Sequence, residues 1–384
     1  MAGFRELAPF TVSAQGQELA FHPGGKERLE AILALIREAQ SSLKLVFYIY
    51  AMDAAGARVR DALAEAASRG VAVTLILDAF GAVADDAFFS PLAGAGGRVL
   101  RFSPRWNVRY LIRNHQKMII VDDSRAMIGG FNIETAYFEP PEAYGWDDLG
   151  VTVSGSCVAG LARWFGGLER WTAEGRAQFL AIRRMVREWR PGAGGVCWLV
   201  GGPTRWDSSW TRNLVRDLDS ARSLDLMTAY FAPHRGLVRR LGRIAQRGRA
   251  RLLLPARTDN AATLGAARVH YGRLLGSGVA IYEFEATKLH TKLIVVDDVV
   301  YIGSANFDMR SLYLNLELML RIEDAALAER MRGFVAAHLA GARQVTLALH
   351  RERRTIWNRI RWTLSWFLVT VVDYTVTRRL NLGL

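Results

Sequence analysis

The sequence predicts an α/β protein of two similar lobes, because a helix followed by a strand recurs in corresponding places of its two halves. The matching segments are helices over 57–68 and 236–246, and strands over 71–77 and 251–254. Helices alternating with strands are typical of sheets covered by helices. With 384 residues, the chain is long enough to give each lobe its own core.

The Gly-rich stretch 191–195 is the best candidate for the boundary between the lobes, because several glycines in a row interrupt regular structure. This boundary predicts an N-terminal lobe over 1–190 and a C-terminal lobe over 196–350. The remaining residues, 351–384, form a separate basic tail.

A constellation of five residues occurs twice, once in each half. The first copy is His115, Lys117, Asp122, Gly129 and Asn132, and the second is His290, Lys292, Asp297, Gly303 and Asn306. The first three members are offset by 175 positions and the last two by 174. This spacing predicts one active site built from two half-sites.

The residues between the motif members predict how each half-site folds. Histidine and lysine two positions apart on a strand lie on the same face. The apolar runs 118–121 and 293–296 favour buried strands that return through tight turns. A turn tip at 123–124 would place Asn132 across from His115, and the second copy would turn around Asp298. Two core strands that merely contain His and Lys are the alternative, which the matched Asp, Gly and Asn disfavour.

The use of lysine also points to chemistry at the motif. The chain has 45 arginines and five lysines, and lysine occupies both motif positions. The compact ammonium of lysine suits a site that needs a point charge rather than the planar guanidinium of arginine. Imidazole can act as nucleophile or proton donor near neutral pH, while lysine and asparagine donate to phosphate oxygens. Two half-sites that face each other, each with a histidine, a lysine and an asparagine, would hold one phosphodiester between them.

The repeated H-x-K-x4-D pattern followed by G-[GS]-x-N resembles the phospholipase D superfamily, and within it the bacterial cardiolipin synthases of the shorter type without an N-terminal membrane anchor. The resemblance covers about residues 15–350. It implies phospholipase D-like lobes, each a mixed sheet flanked by helices, with the active site at the lobe interface. The double motif is specific for the superfamily, whereas lipases, nucleases and transphosphatidylases share the same core.

The resemblance implies a phosphohistidine mechanism that uses no metal or other cofactor. His115 is assigned as nucleophile and His290 as general acid and base by analogy, although the sequence leaves their order open. The charge on the transition state would be stabilised by Lys117, Lys292, Asn132 and Asn306, with Ser304 as a further phosphate ligand. Gly130 stands where the second copy has Ser304, so the two phosphate-binding halves are expected to be unequal.

The resemblance also implies a carboxylate that orients each histidine. These carboxylates come downstream of each motif, at Asp148 and Glu317. The motif residues Asp122 and Asp297 are counted with the catalytic set, but holding the hairpin turns is the role favoured for them.

A net charge of +13 favours a polyanionic partner, either a membrane or a nucleic acid. The tail over 351–384 has seven arginines and two acids around a largely apolar run, 362–372. As a helix this run reaches ~16 Å, about half of a ~30 Å hydrocarbon core. A monotopic anchor is therefore expected, with a final helix packed on the core as the alternative. The stretch 105–113, which runs into His115, is expected to form a headgroup-binding rim or a plain surface loop.

These observations favour an enzyme that transfers a phosphatidyl group between anionic phospholipids, from two phosphatidylglycerols to cardiolipin and glycerol. A phospholipase D-type hydrolase or transphosphatidylase is the nearest alternative. A nucleic-acid phosphodiesterase would not explain the apolar tail, and a non-catalytic lipid-binding protein would not need two matched imidazoles. The expected location is the cytoplasmic face of the bacterial inner membrane, peripheral or monotopic. The sequence leaves the oligomeric state open.

Overall fold

A computed structural model describes residues 4–103, 112–174, 179–192, 194–204 and 207–370 of the chain. Most of the predicted rim over 105–113, Ala193 of the predicted boundary, and the last part of the tail, 371–384, lie outside the described residues. The strands form two large mixed sheets, one from each half of the chain, and helices cover their faces. The predicted fold class is confirmed.

The first half contains strands β1 to β9 and helices α1 to α5. In chain order they are β1 Phe10–Ala14, β2 Gln17–His22, α1 Gly25–Glu38, β3 Ser42–Phe47, α2 Ala54–Ser68, β4 Ala72–Asp78, α3 Ser90–Gly94, β5 Arg98–Phe102, β6 Met118–Val121, β7 Arg125–Gly129, β8 Trp146–Asp147, β9 Gly150–Ser154, α4 Val158–Ala173 and α5 Phe179–Glu188.

The second half contains strands β10 to β20 and helices α6 to α12. In chain order they are β10 Val196–Gly201, α6 Ser209–Ser220, β11 Ser223–Met227, β12 Phe231–Ala232, α7 Arg235–Arg247, β13 Arg249–Pro255, α8 Ala261–Gly276, β14 Ala280–Phe284, β15 Lys288–Leu289, β16 Leu293–Val296, β17 Val299–Gly303, β18 Phe307–Asp308, α9 Met309–Tyr313, β19 Glu317–Glu323, α10 Ala325–His338, β20 Ala342–Val345, α11 Leu347–Arg353 and α12 Ile356–Trp366.

The two sheets repeat one strand order, which extends the duplication beyond the motif. The first sheet has the order β1-β2-β9-β7-β6-β3-β4-β5, and the second has β10-β19-β17-β16-β11-β13-β14-β20. Six consecutive strands correspond, from β9 to β5 in one sheet and from β19 to β14 in the other. In both sheets the last three of these six run parallel and the others pair antiparallel.

The sheets are stacked through a shared apolar core. The outer face of the first sheet packs on α1 and α2, and the outer face of the second packs on α6, α7 and α8. Between the sheets, side chains of α4 such as Trp164 and of α10 such as Met331 join one continuous cluster with both inner faces. Burying the two inner faces together therefore holds the lobes against each other.

The motif hairpins differ by one residue in their turns. Val121 pairs with Arg125 and leaves three turn residues, whereas Val296 pairs with Val299 and leaves two. This difference explains why the offset between the copies falls from 175 to 174 within the motif. The first turn is centred on Asp123, so the predicted register was wrong by one position. Asn132 still enters the cleft, because β7 ends at Gly129 and the chain then leaves the sheet.

The described part of the tail is docked on the second lobe. Helix α12 lies along α8, where Trp362 is 95% buried and stacks on the His350 ring, with ring centroids 5.6 Å apart. Gly265 of α8 permits this approach, since a Cβ there would lie 2.5 Å from the Ser365 hydroxyl. On the face that carries Trp362, α12 is therefore a helix packed on the core, which was the alternative to a detached anchor.

The opposite face of α12 and its continuation exposes large apolar side chains. They are Ile356, Trp357, Ile360, Leu364, Phe367 and Leu368. Among the described residues, no helix combines the length and apolar character needed to cross a membrane.

We predict that Trp362→Ala lowers the free energy of unfolding by about 3 kcal/mol, because it removes a buried indole between α8 and α12. Trp357→Ala is the matched control, because Trp357 is 80% exposed and its loss leaves no cavity. Denaturant titration of both variants measures the difference. Equal stabilities would contradict the docking of α12.

Candidate active site

Short strand exchanges bring the two histidines to the lobe interface. Strand β8 of the first lobe pairs with β15 of the second, and the His290 amide donates to the Asp147 carbonyl at 2.7 Å. The mirrored exchange joins the His115 amide to the Leu316 carbonyl at 2.9 Å. Each histidine backbone is therefore held by a strand of the other lobe.

Each histidine also meets a carboxylate of the other lobe. Nδ1 of His115 lies 3.1 Å from the Glu317 carboxylate, and Nδ1 of His290 lies 2.6 Å from Asp148. The structure thus pairs each carboxylate with the histidine of the opposite motif, not with the one it follows in sequence. With Nδ1 engaged by the carboxylate, Nε2 is the ring nitrogen left to meet a substrate.

The electrostatic surroundings of the two pairs differ. Burial raises the pKa of Glu317 to about 8, against the charge of Lys117. Burial together with Lys117 and Lys292 holds the pKa of His115 well below its usual range. Burial would raise the pKa of Asp148 too, but Lys292 and His290 outweigh it and hold that pKa below its ordinary value. Burial and Lys292 nevertheless lower the pKa of His290 to about 3, although Asp148 favours its charged form, so a second proton is disfavoured on both rings.

Both motif lysines are buried beside their histidines. Lys117 Nζ donates to the His115 carbonyl at 2.7 Å, while Lys292 Nζ reaches the His290 carbonyl and lies 2.7 Å from His290 Nδ1. Burial lowers the pKa of Lys117 to about 7 and that of Lys292 to about 8. An incoming phosphodiester anion would favour the charged ammonium at both positions.

The two asparagines lie on the wall of the same cleft but are bonded differently. Asn132 accepts from the Ile49 amide and donates to the Tyr137 hydroxyl at 3.0 Å. Oδ1 of Asn306 is buried and has no hydrogen-bond partner among the residues that the structure describes. The halves are therefore unequal, as expected, but the difference lies in how each asparagine is held.

Ser304 was expected to bind phosphate, and the structure corrects this assignment. Its hydroxyl donates to the Glu317 carboxylate and accepts from the Leu318 amide, so it positions Glu317. The corresponding Gly130 has no room for a side chain, since a Cβ there would lie 2.7 Å from both Asp148 and Lys292. The first half thus lacks the hydroxyl because its own carboxylate and the other lobe's lysine fill that space.

Asp122 and Asp297 do not belong with the catalytic residues. Both are in the left-handed backbone region, with φ of 50° and 45°, which aspartate tolerates in turns. Asp122 accepts from the amides of residues 40–42, and Asp297 accepts from those of residues 222–223. Their carboxylates tie each hairpin turn to the start of the neighbouring strand, which is the turn-holding role favoured for them.

The cleft has a volume of about 330 Å³ and contains residues that the sequence did not single out. The Tyr137 hydroxyl lies 3.4 Å from His290 Nε2, and the Tyr48 ring lies 5.0 Å from the His115 ring, between centroids. Val369, just beyond α12, also lines the cleft. Tyr137 follows Asn132 by five residues and ends the short 3-10 helix Thr135–Tyr137, so neither a spacing rule nor the repeat could have indicated it.

This site defines the class of protein. The chain matches the family described as "Cardiolipin synthase, PLD-like domain" over residues 32–165 and 214–338. It therefore belongs to the phospholipase D-like family of cardiolipin synthases.

Curated relatives carry the same family name. The chain is 29% identical to the major cardiolipin synthase ClsA of Bacillus subtilis, over 91% of this chain and 74% of that protein. It is 34% identical to a cardiolipin synthase of Geobacillus thermodenitrificans, over 77% of this chain and 60% of the relative. A third relative, cardiolipin synthase A of Pseudomonas syringae, is 31% identical over 86% of this chain and 70% of its own length. The chain thus spans between three-fifths and three-quarters of these relatives.

Solved structures support the fold. A phosphatidylserine synthase of Haemophilus influenzae matches 96% of this chain and 96% of its own length, with a TM-score of 0.76 at 14% identity. A polyphosphate kinase of Porphyromonas gingivalis matches 88% of this chain and 49% of its own, with a TM-score of 0.61 at 13% identity. At these identities the likeness concerns the fold alone.

We predict that Glu317→Gln reduces turnover about 10²-fold while the protein stays folded. At pH 9, above the pKa of about 8 that burial gives Glu317, the carboxylate accepts from His115 Nδ1, whereas the amide fills the same space but can donate to Nδ1 and hold the wrong tautomer. Glu323→Gln is the matched control, because that side chain pairs with Arg321 away from the cleft. Initial rates at saturating substrate and thermal melting separate the two effects. Full activity of Glu317→Gln would remove the orienting role.

Proposed function

We propose that the chain transfers a phosphatidyl group from one phosphatidylglycerol to the terminal hydroxyl of another, giving cardiolipin and glycerol. One observation carries this proposal: a buried histidine, His290, and a partly buried one, His115, come from different lobes and share a cleft, each with a carboxylate on Nδ1 and a lysine beside it. Such a pair can divide a phosphodiester exchange into two displacements at one phosphorus. The names of the relatives supply the substrate class.

In the first step, His115 Nε2 attacks the phosphorus of the donor and forms a P–N bond. The P–O bond to the glycerol headgroup breaks, and the leaving oxygen takes a proton from His290. Asp148 supports this order. Its ionised carboxylate favours the imidazolium of His290 against burial and Lys292, which lower that pKa to about 3, and a bound phosphodiester anion would favour the imidazolium as well. Burial and Lys117 keep His115 neutral, as a nucleophile must be.

In the second step, the acceptor hydroxyl gives its proton back to His290 and attacks the phosphohistidine. The P–N bond breaks and a new P–O bond forms, so the phosphodiester count is unchanged. The charge that develops on the phosphoryl oxygens would be stabilised by Lys117, Lys292, Asn132 and Asn306. Preorganised donors of this kind are often the largest catalytic contribution.

We further propose that the enzyme binds anionic membranes peripherally through the exposed face of α12. The apolar side chains there lie beside basic residues of the same segment, including Arg359 and Arg361. Arginines near an anionic surface contribute about 1 kcal/mol each, and inserted apolar side chains add a part that resists salt. The cytoplasmic face of the bacterial inner membrane stays the predicted location.

We predict that His115→Ala and His290→Ala each reduce turnover by at least ~10³-fold, near the upper range for a lost nucleophile or proton-transfer group. The double variant should be little slower than the singles, because the groups act as a unit. Purified enzyme with labelled phosphatidylglycerol vesicles and separation of the lipid products measures this.

The same assay decides among the activities. Labelled cardiolipin with released glycerol supports the synthase. Phosphatidic acid alone would identify a hydrolase, and cleavage of oligonucleotides without lipid turnover would identify a nuclease. Acid quenching should trap phosphate on His115, and phosphate on His290 would reverse the two roles.

We predict that Leu364→Ser weakens partitioning into phosphatidylglycerol vesicles about tenfold, as the loss of ~1.4 kcal/mol of apolar insertion requires. Leu364 is 55% exposed on α12, and Leu180→Ser, at a 68% exposed position on α5, is the matched control. Vesicle sedimentation in low and high salt measures both. The same partitioning for both variants would show that α12 does not face the membrane.

A further inference from the structure

A cation precedes each histidine by two residues, outside the motif itself. Arg113 precedes His115 and Lys288 precedes His290, and the two cations are offset by the same 175 positions as the histidines. Only Arg113 of the pair lines the cleft. The chain therefore carries a charge at this point that the two-step chemistry does not use.

The surroundings of Arg113 keep its charge available. Its guanidinium carbon lies 4.5 Å from the centre of the Phe80 ring and 6.0 Å from that of Tyr48, whose hydroxyl also contacts it. Within the described part of the chain, the Arg113 guanidinium forms no ion pair within 4 Å and its Nε is buried without a partner, although its charge acts on the more distant Asp78 carboxylate. Aromatic faces hold a cation without neutralising it.

The position of Arg113 is also displaced from the centre of the reaction. Residues 113–115 run alongside residue 316 of the other lobe through a parallel bridge at Asn114. Two residues of extended chain span ~6.6 Å. Phe80, beneath the guanidinium, is 63% exposed, so this cation lies toward the mouth of the cleft.

We propose that Arg113 binds the phosphodiester of the acceptor phospholipid, while the paired histidines hold the donor phosphorus. This inference rests on the proposed function and names the feature that selects the acceptor. A guanidinium can form two parallel hydrogen bonds to one phosphate and so fixes its orientation. With that phosphate anchored, the terminal hydroxyl of the acceptor glycerol reaches the phosphohistidine, loses its proton to His290 and replaces His115 on phosphorus.

Lys288 provides a matched comparison. Its ammonium lies 5.1 Å from the centre of the Trp146 ring, and it does not line the cleft. It has the same offset from its histidine and the same kind of aromatic partner as Arg113. If positive charge near the site were all that mattered, replacing either cation would slow cardiolipin formation. If Arg113 binds the acceptor, only its replacement should do so.

Two reactions of the same full-length enzyme separate acceptor binding from donor chemistry. Exchange of labelled free glycerol into phosphatidylglycerol uses the donor and both histidines, but its acceptor carries no phosphate. Cardiolipin formation uses the same donor step with a phosphorylated acceptor. Both rates are measured in mixed micelles over a range of phosphatidylglycerol mole fractions, for wild type, Arg113→Gln, Arg113→Lys and Lys288→Gln.

We expect Arg113→Gln to slow cardiolipin formation at least tenfold, chiefly by raising the apparent KM for phosphatidylglycerol, while glycerol exchange stays within threefold of wild type. Arg113→Lys should recover part of the loss, and Lys288→Gln should leave the ratio of the two rates unchanged. Equal loss of both reactions in Arg113→Gln, or the same shift in Lys288→Gln, would overturn the inference. Glycerol exchange without cardiolipin in the wild type would instead refute the synthase proposal.

Discussion

The structure depends on the burial of two imidazole–carboxylate pairs, each formed by residues from both lobes. Isolated buried charges are costly, so the Asp148 carboxylate depends on Lys292 and His290 to remain ionised, whereas burial raises the pKa of Glu317 despite Lys117. Asp148 and Glu317 are fully buried, and each reaches the histidine of the other lobe. The stacked sheets, the strand exchanges and the shared apolar core all keep these pairs together. Stability and chemistry therefore rest on the same contact surface.

Much of this arrangement could be predicted from the sequence, because both copies of the motif contain histidine and lysine, which are few in this chain and chemically specific. The α/β lobes follow from the repeated helix-then-strand segments, the buried motif strands from the apolar runs 118–121 and 293–296, and the family resemblance from the doubled His-Lys-Asp-Gly-Asn pattern. The exchange of carboxylates could not be predicted, since spacing along a chain does not tell which lobe a side chain enters. Ser304 shows a different limit: a hydroxyl beside the motif suits phosphate, and only the fold shows that it donates to Glu317 of its own lobe.

The tail shows how a composition-based prediction can describe only one side of a helix. Basic and apolar residues over 351–384 indicated a membrane contact, and the exposed side chains of α12 are compatible with it. The buried Trp362 and the close approach at Gly265 could not be read from composition, because both depend on what α8 presents. Since Val369 reaches the cleft, the segment that would meet the bilayer also forms part of the wall beside the reacting groups.

Each histidine pairs with the carboxylate of the other lobe, and this determines what one lobe can do alone. A single lobe holds a histidine and a carboxylate that cannot meet each other, so on its own it completes neither pair. Two identical lobes related by a twofold axis would complete both, since such an interface presents the same patch twice. A half-length chain of this design would thus complete the site only as a symmetric dimer. Within one chain that symmetry is not required, and the turns, the glycine opposite Ser304 and the helix beside the cleft differ between the halves.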